Sequence, residues 1–341
     1  MDIDEGGYLM WAATRTRITG YSHVQESLPC QDYAESQVIS GCMLCAVADG
    51  ASTAPLGEVG ASIAVESVKN YFKNTSVAEI ESKALEQVSK EIKQDFFRFL
   101  NRKMEILPYP TRHIDYATTI AFITLWEEQD YFLCGVIGDC MIGLFPTEGG
   151  PAVLSGMDAT DRSPHTSFIT DPNIPFLIFE GNLSKYRGFV LSTDGCAKGG
   201  ILSFDGHFDM EVAQILFDYL PKTQNPEIWL SQFIEQNISI FTSDDLSMCV
   251  IYPEFEHRTI PVIEPKHTST QKLPNHEPKN KTREKYPSLS LTFKMPKYTF
   301  FQRIVSKQAT KPKSVLPGVA KDLITIVLKT AVSKIRSHRS R

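Results

Sequence analysis

Long hydrophobic runs are missing from this sequence. Nothing reaches the roughly 18 consecutive apolar residues that cross a bilayer, which excludes a polytopic membrane protein. The opening Met1-Asp2-Ile3-Asp4-Glu5-Gly6 has neither the basic nor the apolar region of a secretory leader, so a cytoplasmic location is expected. A second CxxC is missing too. The lone one, Cys42 and Cys45, lies in the apolar run Gly41-Cys42-Met43-Leu44-Cys45-Ala46-Val47-Ala48, which reads as a strand. Residues three apart on a strand face opposite sides, so these thiols are not expected to share a metal. The seven cysteines (30, 42, 45, 134, 140, 196 and 249) are odd in number and sit in apolar surroundings. That pattern reads as reduced, buried thiols and argues against a disulfide framework. No internal repeat is evident. No nucleic-acid recognition motif is present, so nucleic acid is not an expected partner.

What is present is charge, unevenly spread. The net of −5 over 341 residues conceals an acidic body and a basic tail. Residues 1–256 hold 16 Lys/Arg against 36 Asp/Glu, a net of −20; residues 257–341 hold 19 against 4, a net of +15. Three regions are therefore expected: a globular body over 1–256, a basic, disordered linker over 257–290, and a basic tail over 291–341 able to form a short helix over 318–335. Tyr298, Phe300 and Phe301 lie among Lys294, Lys297 and Arg303. The tail is suited either to an anionic membrane surface or to the acidic body.

Within the body, short apolar runs read as strands at 40–48, 116–126, 131–137, 141–145, 176–180, 188–192 and 246–252. Helical periodicity marks 56–72, 77–104, 210–219 and 226–236. The order is strands, two helices, strands, two helices, strand. Strands come in consecutive runs without a helix after each, so an α+β layered sandwich fits better than parallel βαβ winding.

Several aspartates stand where predicted strands end. Asp49-Gly50 follows one strand, Asp194-Gly195 follows another, and Asp244-Asp245 precedes the last. Asp32 and Asp139 are further candidates. An isolated Asp-Gly is usually a turn, and capping aspartates on an acidic surface are the plainer alternative. If the strand ends coincide, the crowded carboxylates need cations. All-oxygen ligands favour Mg2+ or Mn2+ over zinc, and two such ions form a design for hydrolysing phosphate esters.

The motifs resemble those of the protein phosphatase 2C-like, metal-dependent Ser/Thr phosphatases. Val47-Ala48-Asp49-Gly50-Ala51-Ser52 is similar to their first metal-binding motif, and Ala117-Thr118-Thr119-Ile120-Ala121 to their (G/A)-T-T strand. Gly135-Val136-Ile137-Gly138-Asp139-Cys140 resembles V-G-D-S, Leu191-Ser192-Thr193-Asp194-Gly195 matches S-D-G, and Asp244-Asp245-Leu246-Ser247 resembles D-N/D-x-T/S. They come in the family's order over residues 10–252. Gly20-Tyr21-Ser22-His23 and Cys30-Gln31-Asp32 resemble the bacterial branch. The resemblance implies a four-layer αββα sandwich with two central antiparallel sheets flanked by helix pairs. It implies that 1–256 is a catalytic domain, that Asp49 bridges two Mg2+ or Mn2+ ions, and that the Gly50 carbonyl ligates the second. It implies that Asp194 and Asp244 complete the first, that Asp32 acts through metal-bound water, and that Asp139 with Asp194 matches a weaker third position. The catalytic carboxylates are then Asp49, Asp194 and Asp244. The resemblance further implies direct attack of metal-activated hydroxide on the phosphoester, and the expected partners are a phosphoprotein substrate and a cognate protein kinase.

Four positions depart from better-known members: Gln31 replaces a Glu, Ala51 a proton-donating His, Ser27 an Arg, and Lys198 an acidic residue. Lys198 counts against a third metal. Arg15, Arg17 or the metals alone are left to grip phosphate. His23 is either a substitute proton donor or a structural turn residue. His113 and His165 read as surface residues. Residues 155–172, with Asp158, Asp161 and His165, fall where the family carries a variable flap beside its active site. Two functions follow: an active phosphatase, or a catalytically weak phosphatase-like binding module.

Overall fold

The computed structural model describes residues 9–156, 166–202 and 208–255. The expectations for the linker, the basic tail and its helix lie outside these residues, as do Asp158, Asp161 and His165. Along the chain, β1 (Leu9–Ile18) leads through α1 (Tyr21–Glu26) into the hairpin β2 (Asp32–Ile39) and β3 (Cys42–Asp49). Three helices follow: α2 (Gly57–Asn74), α3 (Val77–Glu81) and α4 (Leu85–Ile106). Then come β4 (Ile120–Trp126), β5 (Tyr131–Ile137), β6 (Met141–Pro146), β7 (Ala152–Ser155), β8 (Leu177–Gly181) and β9 (Tyr186–Ser192). The chain returns through α5 (Asp194–Cys196), α6 (Met210–Tyr219) and α7 (Pro226–Asn237) to β10 (Leu246–Phe255).

The strands make two five-stranded sheets, ordered β1-β10-β9-β6-β7 and β2-β3-β4-β5-β8. All the neighbouring strands pair antiparallel. Alternation along the central strands divides their side chains between two cores. On β3, Leu44, Ala46 and Ala48 face the helices, where they pack with Val68, Phe72, Ile92 and Phe96 of α2 and α4. Cys45 and Val47 face the other way and join Ile123, Phe132, Ile142, Leu191 and Ile251 between the sheets. The CxxC cysteines are thereby split, Cys42 into the first core and Cys45 into the second. All seven cysteines are buried and unpaired. On the far side, α6 and α7 cover the first sheet with buried Val212, Leu216, Leu230 and Phe233. The architecture is the four-layer αββα sandwich.

Both faces of β4 and β5 are covered, which is why they read as unbroken apolar runs. Phe122 of β4 is fully buried, with ring centroids 5.5 Å from Phe72 and 5.4 Å from Phe176. Truncating such a ring costs about 3–5 kcal/mol. Three strands escape the apolar-run reading: β1, β2 and β7. Each is a sheet edge, and edges carry polar residues that break such runs. The single helix expected over 77–104 is two helices. Ser76 and Glu79 form a capping box that starts α3, and Ser82 ends it. The strand expected from 116 begins only at Ile120, because His113–Tyr116 is a 3-10 turn. No helix among the described residues is long and apolar enough to cross a membrane.

Candidate functional site

Strand ends gather the aspartates. Asp32 opens β2 directly opposite Asp49, the last residue of β3. The Asp49 carbonyl accepts hydrogen bonds from Thr118 Oγ1 at 2.8 Å and Thr119 N at 2.9 Å, so the Ala-Thr-Thr motif holds the turn after β3 in place. Asp139 follows β5 through Gly138, whose φ of +85° favours glycine. Asp194 begins α5 after β9, and Asp244-Asp245 precedes β10, which pairs with β9. The next residue, Gly195, packs so closely that an added Cβ would stand 1.9 Å from the Asp245 carbonyl oxygen. These ends line a cleft of about 460 Å3, whose walls include Asp49, Gly50, Asp139, Asp194 and Asp244.

Within it, Asp49, Asp139 and Asp194 each offer an oxygen within 4.8 Å of the others. Burial, followed by the charges of Asp32, Asp194, Asp139 and Asp244, pushes the Asp49 carboxyl well above its ordinary range. Burial and then Asp194 push Asp139 up likewise. Asp139 Oδ2 accepts from Thr166 Oγ1 at 3.0 Å, but Oδ1 is buried without a donor among the described residues. An all-oxygen set with an orphaned carboxylate oxygen, whose charges oppose one another, fits a hard divalent cation.

Asp32 is placed differently from the other four. It is buried beneath the cleft, not among its lining residues, and accepts a hydrogen bond from Thr193 Oγ1 at 2.7 Å. Burial is the largest cause of its raised pKa, with the charge of Asp245 adding to it. Of the stretch 155–172, Thr166 and Phe168 line the cleft. Of the sources expected for a phosphate grip (Arg15, Arg17 or the metals alone), the two arginines are not among the described residues lining the cleft. Their side chains line a separate cavity of about 520 Å3 against α7. There Arg15 pairs with Glu35 at 3.1 Å, and Arg17 donates to the Cys30 carbonyl at 2.9 Å. Residues alternate along β1, so these two share the face of Trp11 and Ala13, which pack between the sheets. His113 is exposed, bonded to Asn101.

Two residues gain roles that spacing did not disclose. Asp245 is buried and fully engaged: Oδ1 accepts from Gly20 N at 2.6 Å, and Oδ2 from Gln31 N at 2.6 Å. The same Oδ2 lies 2.8 Å from His23 Nδ1. Asp245 thus clamps the start of α1, the approach to β2 and His23, which lines the cleft. The second is Lys198, whose Nζ lies 2.6 Å from Asp194 Oδ2 and 2.6 Å from Asp244 Oδ2. The Asp244-Asp245 pair and the Gly-Tyr-Ser-His turn were visible signals. Their meeting across more than 200 residues was not.

The family model for protein phosphatase 2C matches residues 19–235. A bacterial serine phosphatase shares the fold with a TM-score of 0.52 at 16% identity, covering 72% of this chain and 98% of its own. The serine/threonine phosphatase Stp1 from Staphylococcus aureus matches with a TM-score of 0.52 at 16% identity, over 71% of this chain and 95% of its own. The catalytic domain of the serine threonine protein phosphatase PstP, in a complex with two manganese ions, matches with a TM-score of 0.51 at 14% identity, over 72% and 100%. At such identities these likenesses establish the fold. No curated protein matches the chain. The family match spans well over half of the sequence and takes in Asp32, Asp49, Asp139 and Asp194, and on that ground the chain belongs to the protein phosphatase 2C family of serine/threonine protein phosphatases.

Proposed function

We propose that this protein hydrolyses phosphoserine and phosphothreonine in a phosphoprotein, using two Mg2+ or Mn2+ ions. The observation that carries the proposal is the Asp49, Asp139 and Asp194 group, with its unpartnered Asp139 oxygen, at an open cleft. Asp49 would serve both ions and the Gly50 carbonyl the second, Asp194 and Asp244 would complete the first, and Asp32 would act from behind through water. When bound, the ions supply the charge that lets a water ionise near neutral pH and that offsets the negative phosphoryl group. The chain's own residues do the rest. Thr118 and Thr119 fix the Asp49 backbone, so the carboxylate enters the cleft at a set angle. Thr193 holds Asp32, and the Ser247 N–H in turn donates to Thr193 Oγ1 at 3.0 Å. With Ala51 in place of a histidine, His23 is the proton carrier for the leaving oxygen. Asp245 orients its ring through Nδ1 and leaves Nε2 for exchange.

The same proposal assigns 1–256 as the catalytic domain, 257–290 as a linker and 291–341 as a basic tail that touches an anionic membrane or the acidic body. A cytoplasmic setting is proposed from the seven unpaired, buried thiols. A cognate kinase is the proposed counterpart. The test is hydrolysis of p-nitrophenyl phosphate and of phosphothreonine peptides with Mn2+. Metal-dependent turnover that is lost in Asp49→Ala and Asp194→Ala is expected; no turnover by folded protein would overturn it. Lys198 favours a second reading, a catalytically weak binding module, which would bind fewer than two ions per chain.

A further inference from the structure

We propose that the protein selects substrates with an apolar side chain within two residues of the phosphoresidue, received in a subsite of Ile114, Phe168 and Ile174 beside the acidic cleft. This rests on the phosphatase reading above and adds a substrate preference to it.

A second cavity, of about 420 Å3, adjoins the cleft, and the two share Thr166 and Phe168 as lining. Its volume falls within the roughly 300–1,000 Å3 of ligand-sized clefts. Ile114, Phe168 and Ile174 supply its apolar lining, joined by Thr170 and Asp171. Ile114 is 53% exposed, although it is a large aliphatic residue held in a 3-10 turn. Both walls hang from one stretch of backbone. The Thr118 carbonyl accepts from Ile169 N at 3.0 Å, and Ala117 N donates to the Ile114 carbonyl at 3.1 Å. Thr118 Oγ1 also holds the Asp49 carbonyl. Thr166 Oγ1 ties the shared wall to Asp139, and Lys93 donates to the carbonyls of Asp171 and Ile174. The subsite therefore keeps a fixed place relative to the cleft carboxylates. It is formed before a substrate arrives, which removes the cost of ordering it on binding. An extended peptide advances about 3.3 Å per residue, so a side chain entering a cavity that shares the cleft's wall lies within two positions of the phosphoresidue. The lining selects an apolar residue there. Asp171 is exposed, so its charge gains little from pairing with a lysine, but it disfavours Asp and Glu.

The test is phosphate release by the full-length protein with Mn2+ from phosphothreonine peptides carrying Leu, Ser, Lys or Glu at each position within two residues of the phosphothreonine. Leu at one of these positions should raise kcat/KM over Ser by about tenfold, mainly through KM, the size of burying part of one apolar side chain. Lys should stay near Ser, and Glu should fall below it. Ile114→Ser, at an exposed position, should remove most of the Leu-over-Ser ratio. Ile114→Lys should make Glu a better residue than Leu, a reversal that a merely structural role does not produce. No Leu preference in wild type, or a preference kept in folded Ile114→Ser, would overturn the inference and leave the phosphatase reading standing. p-Nitrophenyl phosphate has no neighbouring residue and reads the chemistry alone. If wild type with Mn2+ releases phosphate from neither it nor the peptides, the phosphatase reading itself fails, and the inference with it.

Discussion

Replacing Asp49 by asparagine should stabilise the metal-free protein while ending its response to metal. The three carboxylate oxygens of the cleft lie within 4.8 Å of one another. At an effective dielectric of about 20, unit charges at that distance repel by about 3.5 kcal/mol, and Asp49 faces two such partners. Proton uptake relieves part of this, because burial and those neighbours hold the Asp49 carboxyl well above its ordinary range. A net gain of about 1–3 kcal/mol remains for Asp49→Asn near pH 7.5 in chelator. The pH dependence has a definite sign. Asp32, Asp49 and Asp139 all have folded pKa values raised above the ordinary 3.8. The folded state thus holds protons the unfolded chain has released, and wild-type stability falls as pH rises from about 4 through the raised values. The advantage of Asp49→Asn should fade toward pH 5. Manganese reverses the order: at 100 times its dissociation constant it adds about 2.7 kcal/mol to wild type, and much less to the variant. Urea unfolding with chelator and with Mn2+, at pH 5 and 7.5, measures all four quantities. A variant less stable than wild type in chelator, and still stabilised by Mn2+, would refute the charge-cluster argument.

Other outcomes follow from single contacts. His23→Gln should lower kcat by about a hundredfold or more while Mn2+ affinity holds, since the ring is a proton carrier and not a ligand; an unchanged kcat removes it from the chemistry. Gly195→Ala sets a Cβ 1.9 Å from the Asp245 carbonyl oxygen, so it should cost about 2–3 kcal/mol in denaturant unfolding and weaken Mn2+ binding, because α5 must shift with Asp194. Lys93 donates from α4 to the carbonyls of Asp171 and Ile174 beside the flap, and burial brings its pKa down to about 8 from 10.5. Charged Lys93 therefore opposes folding below pH 8. The stability of wild type relative to Lys93→Met should climb by up to about 3 kcal/mol between pH 8 and 10.5. A flat difference would show that the ammonium is well solvated.

Legibility in the sequence tracked burial. The central strands, such as Tyr131–Ile137, bury both faces and so appear as apolar runs. Edge strands β1 and β2 carry Thr14, Arg15, Thr16, Arg17, Glu35, Ser36 and Gln37, and no run marks them. Yet the edges position the site: β2 sets Asp32 beside Asp49. Apolar periodicity does not mark the break at 82–84 either, because Ser76, Glu79 and Ser82 close the first turn locally. Arg15 and Arg17 line a separate cavity, and nothing in their spacing says which neighbours an edge strand meets.

By itself, the sequence determined the layered α+β class, the buried unpaired thiols and the set of strand-end aspartates, since each depends on local pattern: apolar periodicity, residue type, and Asp-Gly at a strand end. Tertiary structure alone decided which carboxylates share a cleft, that Asp32 lies beneath it, that Asp245 orients His23, and that Lys198 stands between Asp194 and Asp244. Those arrangements come from β9–β10 pairing and from turns meeting at the ends of two packed sheets. Residues over 200 positions apart come within 3 Å there, a proximity that no local pattern encodes.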